Sequence, residues 1–185
     1  EAIEKGHAEP SGDEILIFAD FYKQDYKYFI SNDKLSASEQ IEVLYRKHGR
    51  SFSKEDRWAI QEFIFLCESE QDILQYLQVT YKKFEIPAYK GIYKSQGVDA
   101  ANKLRSFLGY KETELYSDLY SEFRKTGIHI FRRKLYNSDI SGLFIKHPVA
   151  GKCVLINYDD DIYRQNFTLS HEICHALLDD NLGFN

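Results

Sequence analysis

The hydrophobic periodicity of this chain changes once, near residue 128, and this change limits the folds that the chain can adopt. Before it, apolar residues recur at helical spacing, most clearly from Lys54 to Lys83. After it come three short β-prone runs, Ile128–Phe131, Gly142–Lys146 and Cys153–Asn157, and a final amphipathic helix is predicted over Ile162–Leu178. The pattern predicts an α+β fold that is mostly helical. A helical N-terminal half is followed by a small three-stranded sheet packed on the final helix, and the short connections predict an antiparallel sheet.

Three segments share a helix-start pattern, in which a serine is followed three residues later by a carboxylate. The pairs are Ser11 with Glu14, Ser36 with Glu39, and Ser53 with Asp56. In this arrangement each side chain can satisfy a backbone N–H at the helix start. Two further helices are predicted, each closed by a glycine, over 99–108 and 112–125.

Composition excludes several classes of protein. The net charge is −5, which argues against a non-specific nucleic-acid binder. Three cysteines without a C-x-x-C pair (Cys67, Cys153 and Cys174) argue against a disulfide framework and fit a reducing cytosol. No apolar run approaches the roughly 20 residues that span a bilayer, and no signal peptide is recognisable. We therefore expect a cytoplasmic protein with no membrane partner.

On the final predicted helix, Ile162, Leu169, Ile173 and Leu177 can face the core. The same helix carries the motif that points to chemistry, His171-Glu172-Ile173-Cys174-His175. Histidines four residues apart lie one turn apart on the same helix face, so both imidazoles can reach one metal ion. Glu172 is rotated about 100° from His171, which keeps it off the metal but near a metal-bound water. Zinc lowers the pKa of such a water, and a carboxylate can take its proton. The motif predicts Zn²⁺ bound by His171 and His175, with Glu172 as the catalytic base.

Other residues near the motif have ordinary interpretations. The histidines could also be surface residues flanking a glutamate on a plain helix. Cys174 lies about 100° round the helix from His175, and we interpret it as a small, partly buried side chain. His129 and His147 lie on or beside predicted strands, and their spacing requires no metal, so we interpret them as polar strand residues.

The motif supplies two protein ligands, whereas a catalytic zinc takes three. The nearby candidates are Asp179 and Asp180, at the end of the same helix, where solvated acids are also common. We expect the third ligand to lie beyond Asn185, which would make this metal-binding domain truncated at its C-terminus. Because two imidazoles suit several divalent metals, the identity of the metal stays open.

Several stretches around the motif resemble one family. They are Ala101–Arg105, Lys125–Ile128, Ser141–Phe144, Ile156–Asn157 and Arg164–Glu172, and they resemble the ImmA/IrrE metallopeptidases over about residues 95–180. The resemblance implies a zincin-like fold, zinc on the two histidines of the motif and water activation by its glutamate. A glutamate further downstream usually completes the site. Members of the family cleave transcriptional repressors, often in stress responses or in the induction of mobile elements.

The N-terminal segment has a resemblance of its own. Ile3–Gly6, Pro10-Ser11 and Leu16–Tyr22 are similar to the closing part of a phage-repressor-type (XRE) helix-turn-helix domain. The resemblance implies a remnant of that domain over 1–30, a helical linker region over 31–94 and the metallopeptidase domain over 95–185. The recognition helix would precede the first residue, so operator DNA would be bound only through a complete helix-turn-helix domain.

Two functional hypotheses follow. The first is a zinc-dependent endopeptidase of a bacterial or phage regulatory system, which cleaves a transcriptional repressor by metal-activated water. The alternative is an XRE-family transcriptional regulator whose peptidase-like domain senses a signal or dimerises without proteolysis. A homodimer is compatible with both hypotheses. Dependence of cleavage on Glu172 would distinguish them.

Overall fold

The computed structural model describes residues 2–22, 26–30, 52–82, 84, 93–111, 113–116 and 118–178. Its helices are α1 (Gly12–Tyr22), α2 (Lys27–Ile30), α3 (Lys54–Tyr76), α4 (Tyr93–Phe107), α5 (Leu119–Arg124) and α6 (Ile162–Leu178). Its strands are β1 (His129–Arg133), β2 (Gly142–His147) and β3 (Gly151–Asn157). The predicted α+β class is confirmed. Within the described residues, no helix combines the length and the apolar character needed to cross a membrane.

Two of the predicted helix starts are formed as expected. At α1, Glu14 N donates to Ser11 Oγ at 3.3 Å, and Ser11 N donates to Glu14 Oε2 at 2.8 Å. At α3, Asp56 N donates to Ser53 Oγ at 3.0 Å, and Ser53 N donates to Asp56 Oδ2 at 2.9 Å. The third predicted start, at residues 36–39, lies outside the described residues.

Two helices are shorter than predicted. The long helix ends at Tyr76 rather than near residue 83, because Gln78 adopts a left-handed conformation with φ of 55°. Glutamine rarely takes this conformation, so the sequence carries no signal for the stop. The helix predicted over 112–125 spans only Leu119–Arg124. Its N-cap is Asp118, whose carboxylate accepts from Tyr120 N and Ser121 N at 3.0 and 3.3 Å.

The sheet is mixed, so the prediction of a wholly antiparallel sheet is wrong. The strand order is β1-β3-β2, in which β2 runs antiparallel to the central β3 and β1 runs parallel to it. The prediction assumed that consecutive strands pair. Instead, residues 134–150, which include β2, return the chain to the end of the sheet where β1 began. β3 can therefore enter between the other two strands in the direction of β1.

The sheet lies between α3 and α6, and each helix shares a buried core with one face. On the α3 face, buried apolar residues of α3 and its N-terminal flank meet the sheet and its adjoining loops: Phe52, Ile60, Phe63, Ile64, Cys67, Leu135, Leu143, Ile145, Ala150, Cys153 and Leu155. On the α6 face, the corresponding core includes Ile130, Val154, Ile156, Leu169, Ile173, Ala176 and Leu177. The three layers present α6, with its motif, on one side of the sheet.

Candidate metal centre

The start of α6 is held by side chains that connect it to the end of β3. Asp161 Oδ1 accepts from Tyr163 N at 2.9 Å and from Arg164 N at 3.0 Å, as an N-cap residue does. The buried Gln165 donates through Nε2 to the backbone oxygens of Tyr158, at 3.1 Å, and of Asp160, at 2.7 Å. These contacts set the angle at which the helix leaves the sheet.

The buried stripe of α6 decides where the motif points. Leu169, Ile173 and Leu177 are buried against the sheet, as predicted, at spacings of four residues. Ile162, expected on the same stripe, is exposed at the first turn of the helix. With this stripe turned inward, His171 is exposed at the surface of the helix.

The two histidines of the motif converge on one point. Nε2 of His171 and Nε2 of His175 are 3.1 Å apart, and the two rings are nearly perpendicular. Two imidazole nitrogens this close need a proton or a cation between them, because their lone pairs repel. Nitrogen ligands about 2.0–2.1 Å from a tetrahedral zinc lie about 3.3 Å apart. The side chains present therefore fit a divalent metal held at this point.

A phenylalanine lies beside one of these rings. The ring of Phe167, one turn before His171, lies nearly parallel to its imidazole, with 6.5 Å between the centroids. Phe167 is 74% exposed, although it is a large apolar side chain. The two rings thus lie one turn apart on the same face of α6, next to the cleft.

Glu172 combines partial burial with the positive potential of the histidines. It is half-buried, and burial raises its pKa above the ordinary value, while His175 and His171 lower it in part. A carboxyl group whose pKa lies closer to neutrality can both accept a proton from water and return it. Glu172 and His171 line the same cleft.

The cleft beside the motif has a volume of about 480 Å³. Its apolar lining comes from three places in the chain, with Phe52 before α3, Ile140 and Leu143 around the start of β2, and Phe167 on α6. Its polar lining consists of Asn137, Asp139, Ser141, Arg164, Thr168, His171 and Glu172. A groove with apolar walls and a few polar groups is typical of a ligand-binding site.

The loop that forms one wall of the cleft, residues 135–141, is held by a buried asparagine. Asn157 Oδ1 accepts from Leu135 N at 2.9 Å, and Asn157 Nδ2 donates to Leu135 O and Ile140 O, both at 3.2 Å. Asn157 is 1% exposed. Sequence reasoning assigned Asn157 no such role. The available signal was a polar residue directly after the apolar run 153–156.

The wall formed by β2 approaches α6 closely at Gly142. A Cβ atom on this glycine would lie 2.6 Å from Cγ2 of Thr168 and 3.0 Å from the backbone oxygen of Leu155. Both distances are shorter than normal carbon contacts. The absence of a side chain at Gly142 therefore lets the strand lie against the helix three residues before His171.

Other sequence candidates lie away from this point. Cys174 is exposed, so the prediction that it is partly buried is wrong. His129 and His147 are both buried on the α3 face of the sheet. Nδ1 of His129 lies 2.7 Å from Glu70 Oε2, and Nε2 of His147 lies 3.2 Å from a carboxylate oxygen of Glu68. The sheet separates both histidines from the motif.

The structure brings together the two histidines that the sequence predicts as metal ligands. Among the described residues, no group of three or more histidine, cysteine, aspartate or glutamate side chains is arranged to hold a metal ion. Asp179 and Asp180, the nearby candidates for a third ligand, lie outside the described residues.

Comparison with known proteins adds one finding. No curated protein and no solved structure matches the chain. Residues 123–185 match the family model of peptidase M78, described as the IrrE N-terminal-like domain. The matched part begins at the end of α5 and includes the whole sheet and the motif helix. The C-terminal third of the chain is thus similar to the peptidase-like domain of the ImmA/IrrE family, and the match supports activity of the metallopeptidase type.

Proposed function

We propose that this protein is a cytoplasmic zinc-dependent endopeptidase and that its substrate is a transcriptional repressor of a bacterial or phage regulatory system. The observation that carries the proposal is the 3.1 Å separation of the two Nε2 atoms beside Glu172, at the edge of an open cleft. The match of residues 123–185 to a peptidase family supports the same chemistry.

In this proposal each residue of the motif has one task. His171 and His175 hold zinc through Nε2. When bound, zinc lowers the pKa of water and polarises the carbonyl of the scissile peptide bond. Glu172 takes a proton from the attacking water, whose oxygen bonds to the carbonyl carbon. The carbon–nitrogen bond then breaks, and Glu172 returns the proton to the leaving amine.

The metal is tested first, by measuring zinc per chain in the wild type, in His171→Ala and in His175→Ala. We expect about one zinc per wild-type chain and a large loss of zinc in both variants. Cys174→Ser is the matched control, because its exposed thiol lies between the histidines in the sequence and the proposal gives it no ligand role. A wild-type protein that includes the third ligand and takes up no zinc after zinc addition would overturn the metal site.

Proteolysis is tested second, on a mixture of peptides from a bacterial proteome and on purified XRE-type repressors. Glu172→Gln is the control, because it keeps the shape of the side chain and removes the base. We expect cleavage by the zinc-loaded wild type and at least a hundredfold slower cleavage by Glu172→Gln. Zinc binding with every peptide and repressor left intact would instead favour the regulator hypothesis.

A third experiment tests whether Asp179 or Asp180 is the third metal ligand. The double variant Asp179→Asn/Asp180→Asn removes both nearby carboxylates and leaves the two histidines in place. On the expectation that neither aspartate binds the metal, its zinc affinity equals that of the wild type. An affinity lowered tenfold or more would assign the third ligand to this pair.

A further inference from the structure

Arg164 lies on the same side of α6 as His171 and lines the same cleft. The two residues are seven positions apart, which places them two helical turns apart on one face. Their Cα atoms are therefore separated by about 10 Å along the helix axis. The function proposed above gives Arg164 no task. An extended peptide that runs along α6 past the two histidines would also pass Arg164.

One edge of the Arg164 guanidinium is fixed by neighbouring side chains. Nε donates to Ser141 Oγ at 2.9 Å and lies 3.4 Å from Asp160 Oδ2. The side chain is 52% exposed. Within the described part of the chain, neither Nη group donates a hydrogen bond. The guanidinium is thus oriented by its Nε edge, and its Nη groups remain available to a ligand.

We propose that Arg164 is a substrate-binding residue that selects peptides with an aspartate or glutamate about three residues from the scissile bond. The inference rests on the proposed peptidase function. A guanidinium whose orientation is fixed binds a carboxylate through paired N–H donors. An extended peptide advances about 3.3 Å per residue, so a distance of about 10 Å corresponds to three residues.

The other charges of the cleft limit this preference to one position. Asp160 partly neutralises Arg164 from the Nε edge. Asp139, an exposed carboxylate in the lining of the cleft, repels an acidic side chain placed near it. Glu172 does the same at the scissile bond. A peptide that is acidic throughout is therefore disfavoured, and one acidic residue opposite Arg164 is favoured.

The test uses the zinc-loaded full chain and a cleavable peptide in which one glutamate replaces glutamine at each position in turn. All peptides carry an amidated C-terminus, and a parallel set has a free carboxylate. We expect one internal position at which glutamate raises kcat/KM about tenfold, through KM. Arg164→Gln should abolish this increase in kcat/KM, and Arg164→Glu should shift the preference to lysine at the same position. Arg133→Gln is the matched control, because Arg133 pairs with Glu62 outside the cleft.

The outcomes separate this inference from the proposed function. Equal cleavage of all amidated peptides by the wild type overturns the role of Arg164 and leaves the peptidase intact. A preference that requires the free C-terminus also overturns it, because the carboxylate would then be terminal. If no peptide is cleaved, the binding of labelled glutamate and glutamine peptides to the zinc-loaded Glu172→Gln variant is measured by fluorescence anisotropy. Tighter binding of one glutamate peptide, lost in Arg164→Gln/Glu172→Gln, supports the inference, and equal binding overturns it.

Discussion

The backbone N–H of Tyr136 donates to Oδ1 of Asp56 at 2.6 Å, across 80 residues of sequence. Asn137 N approaches the same oxygen at 3.4 Å, while the other carboxylate oxygen completes the N-terminal cap of α3 with Ser53. Asp56 is fully buried. The Asp56 side chain thus caps α3 and also holds the loop of residues 135–141, which forms one wall of the cleft.

This double role predicts that Asp56→Ala destabilises the protein by about 2–4 kcal/mol. The loss combines a helix cap, worth about 1 kcal/mol, with the burial of loop N–H groups that no longer have an acceptor. Urea unfolding measures it. Glu14→Gln is the matched control, because Glu14 completes the same box with Ser11 at an exposed site. A loss for Asp56→Ala no larger than that for Glu14→Gln would contradict the role of the loop contacts.

The same carboxylate predicts a pH dependence. Burial alone raises the pKa of Asp56, but hydrogen bonds from Ser53, Tyr136 and Asn137 more than offset it and hold the pKa below its ordinary value. A lowered pKa in the folded state contributes stability that is present above the unfolded value, about 3.9, and is lost as pH falls through the folded value. The stability difference between wild type and Asp56→Asn should therefore shrink below about pH 4. Unfolding curves from pH 7 to pH 3 measure it, and a constant difference would contradict the prediction.

Gly142→Ala is expected to destabilise the protein by about 1–3 kcal/mol, because the new methyl group would overlap Thr168 Cγ2 and press on the Leu155 carbonyl. Thr168→Ser removes that Cγ2 methyl group, so the double variant Gly142→Ala/Thr168→Ser should regain part of the lost stability. Thermal unfolding measures both effects. The control is Gly97→Ala in α4, where a methyl group meets nothing within 4 Å and should be neutral or stabilising. Equal changes in stability for Gly142→Ala and Gly97→Ala would show that the structure around Gly142 accommodates the methyl group without loss of stability.

Asn157→Asp should destabilise the protein strongly at neutral pH and less in acid. Nδ2 of Asn157 donates to the carbonyl oxygens of Leu135 and Ile140, and a carboxylate oxygen in its place would repel both. This repulsion raises the folded-state pKa of the new carboxyl, so the variant regains stability as protonation restores a donor. Unfolding at pH 7 and pH 5 measures the change. A variant whose deficit is independent of pH would show that Nδ2 is not the important donor.

Zinc should stabilise the folded chain through the two histidines. At a free zinc concentration about 100 times the dissociation constant, binding adds about 2.7 kcal/mol, which corresponds to a rise in Tm of about 5–10 °C. His171→Ala/His175→Ala should show no such rise, whereas Cys174→Ser should keep it. Differential scanning calorimetry with zinc and with a chelator measures the shift. An equal rise in the double variant would locate the metal elsewhere.

Several elements could be predicted because their causes are local in sequence. The capping boxes at Ser11 and Ser53 depend on residues three apart, and the chain forms both. The spacing of Leu169, Ile173 and Leu177 is enough to predict which side of α6 is buried, and with it that His171 faces outward. Hydrogen bonds and side-chain directions within a few residues follow from backbone geometry alone.

The α+β class, the final helix and the spacing that brings the Nε2 atoms of His171 and His175 together thus follow from patterns that are local in the chain. The order and direction of the strands depend on tertiary packing. The same packing brings Phe52 and Asp56, at the N-terminal end of α3, beside a cleft formed mainly by residues 137–172. Contacts between residues 80 positions apart leave no periodic trace in the chain. They depend on which surfaces bury most apolar area together, and that is settled only when the whole core packs.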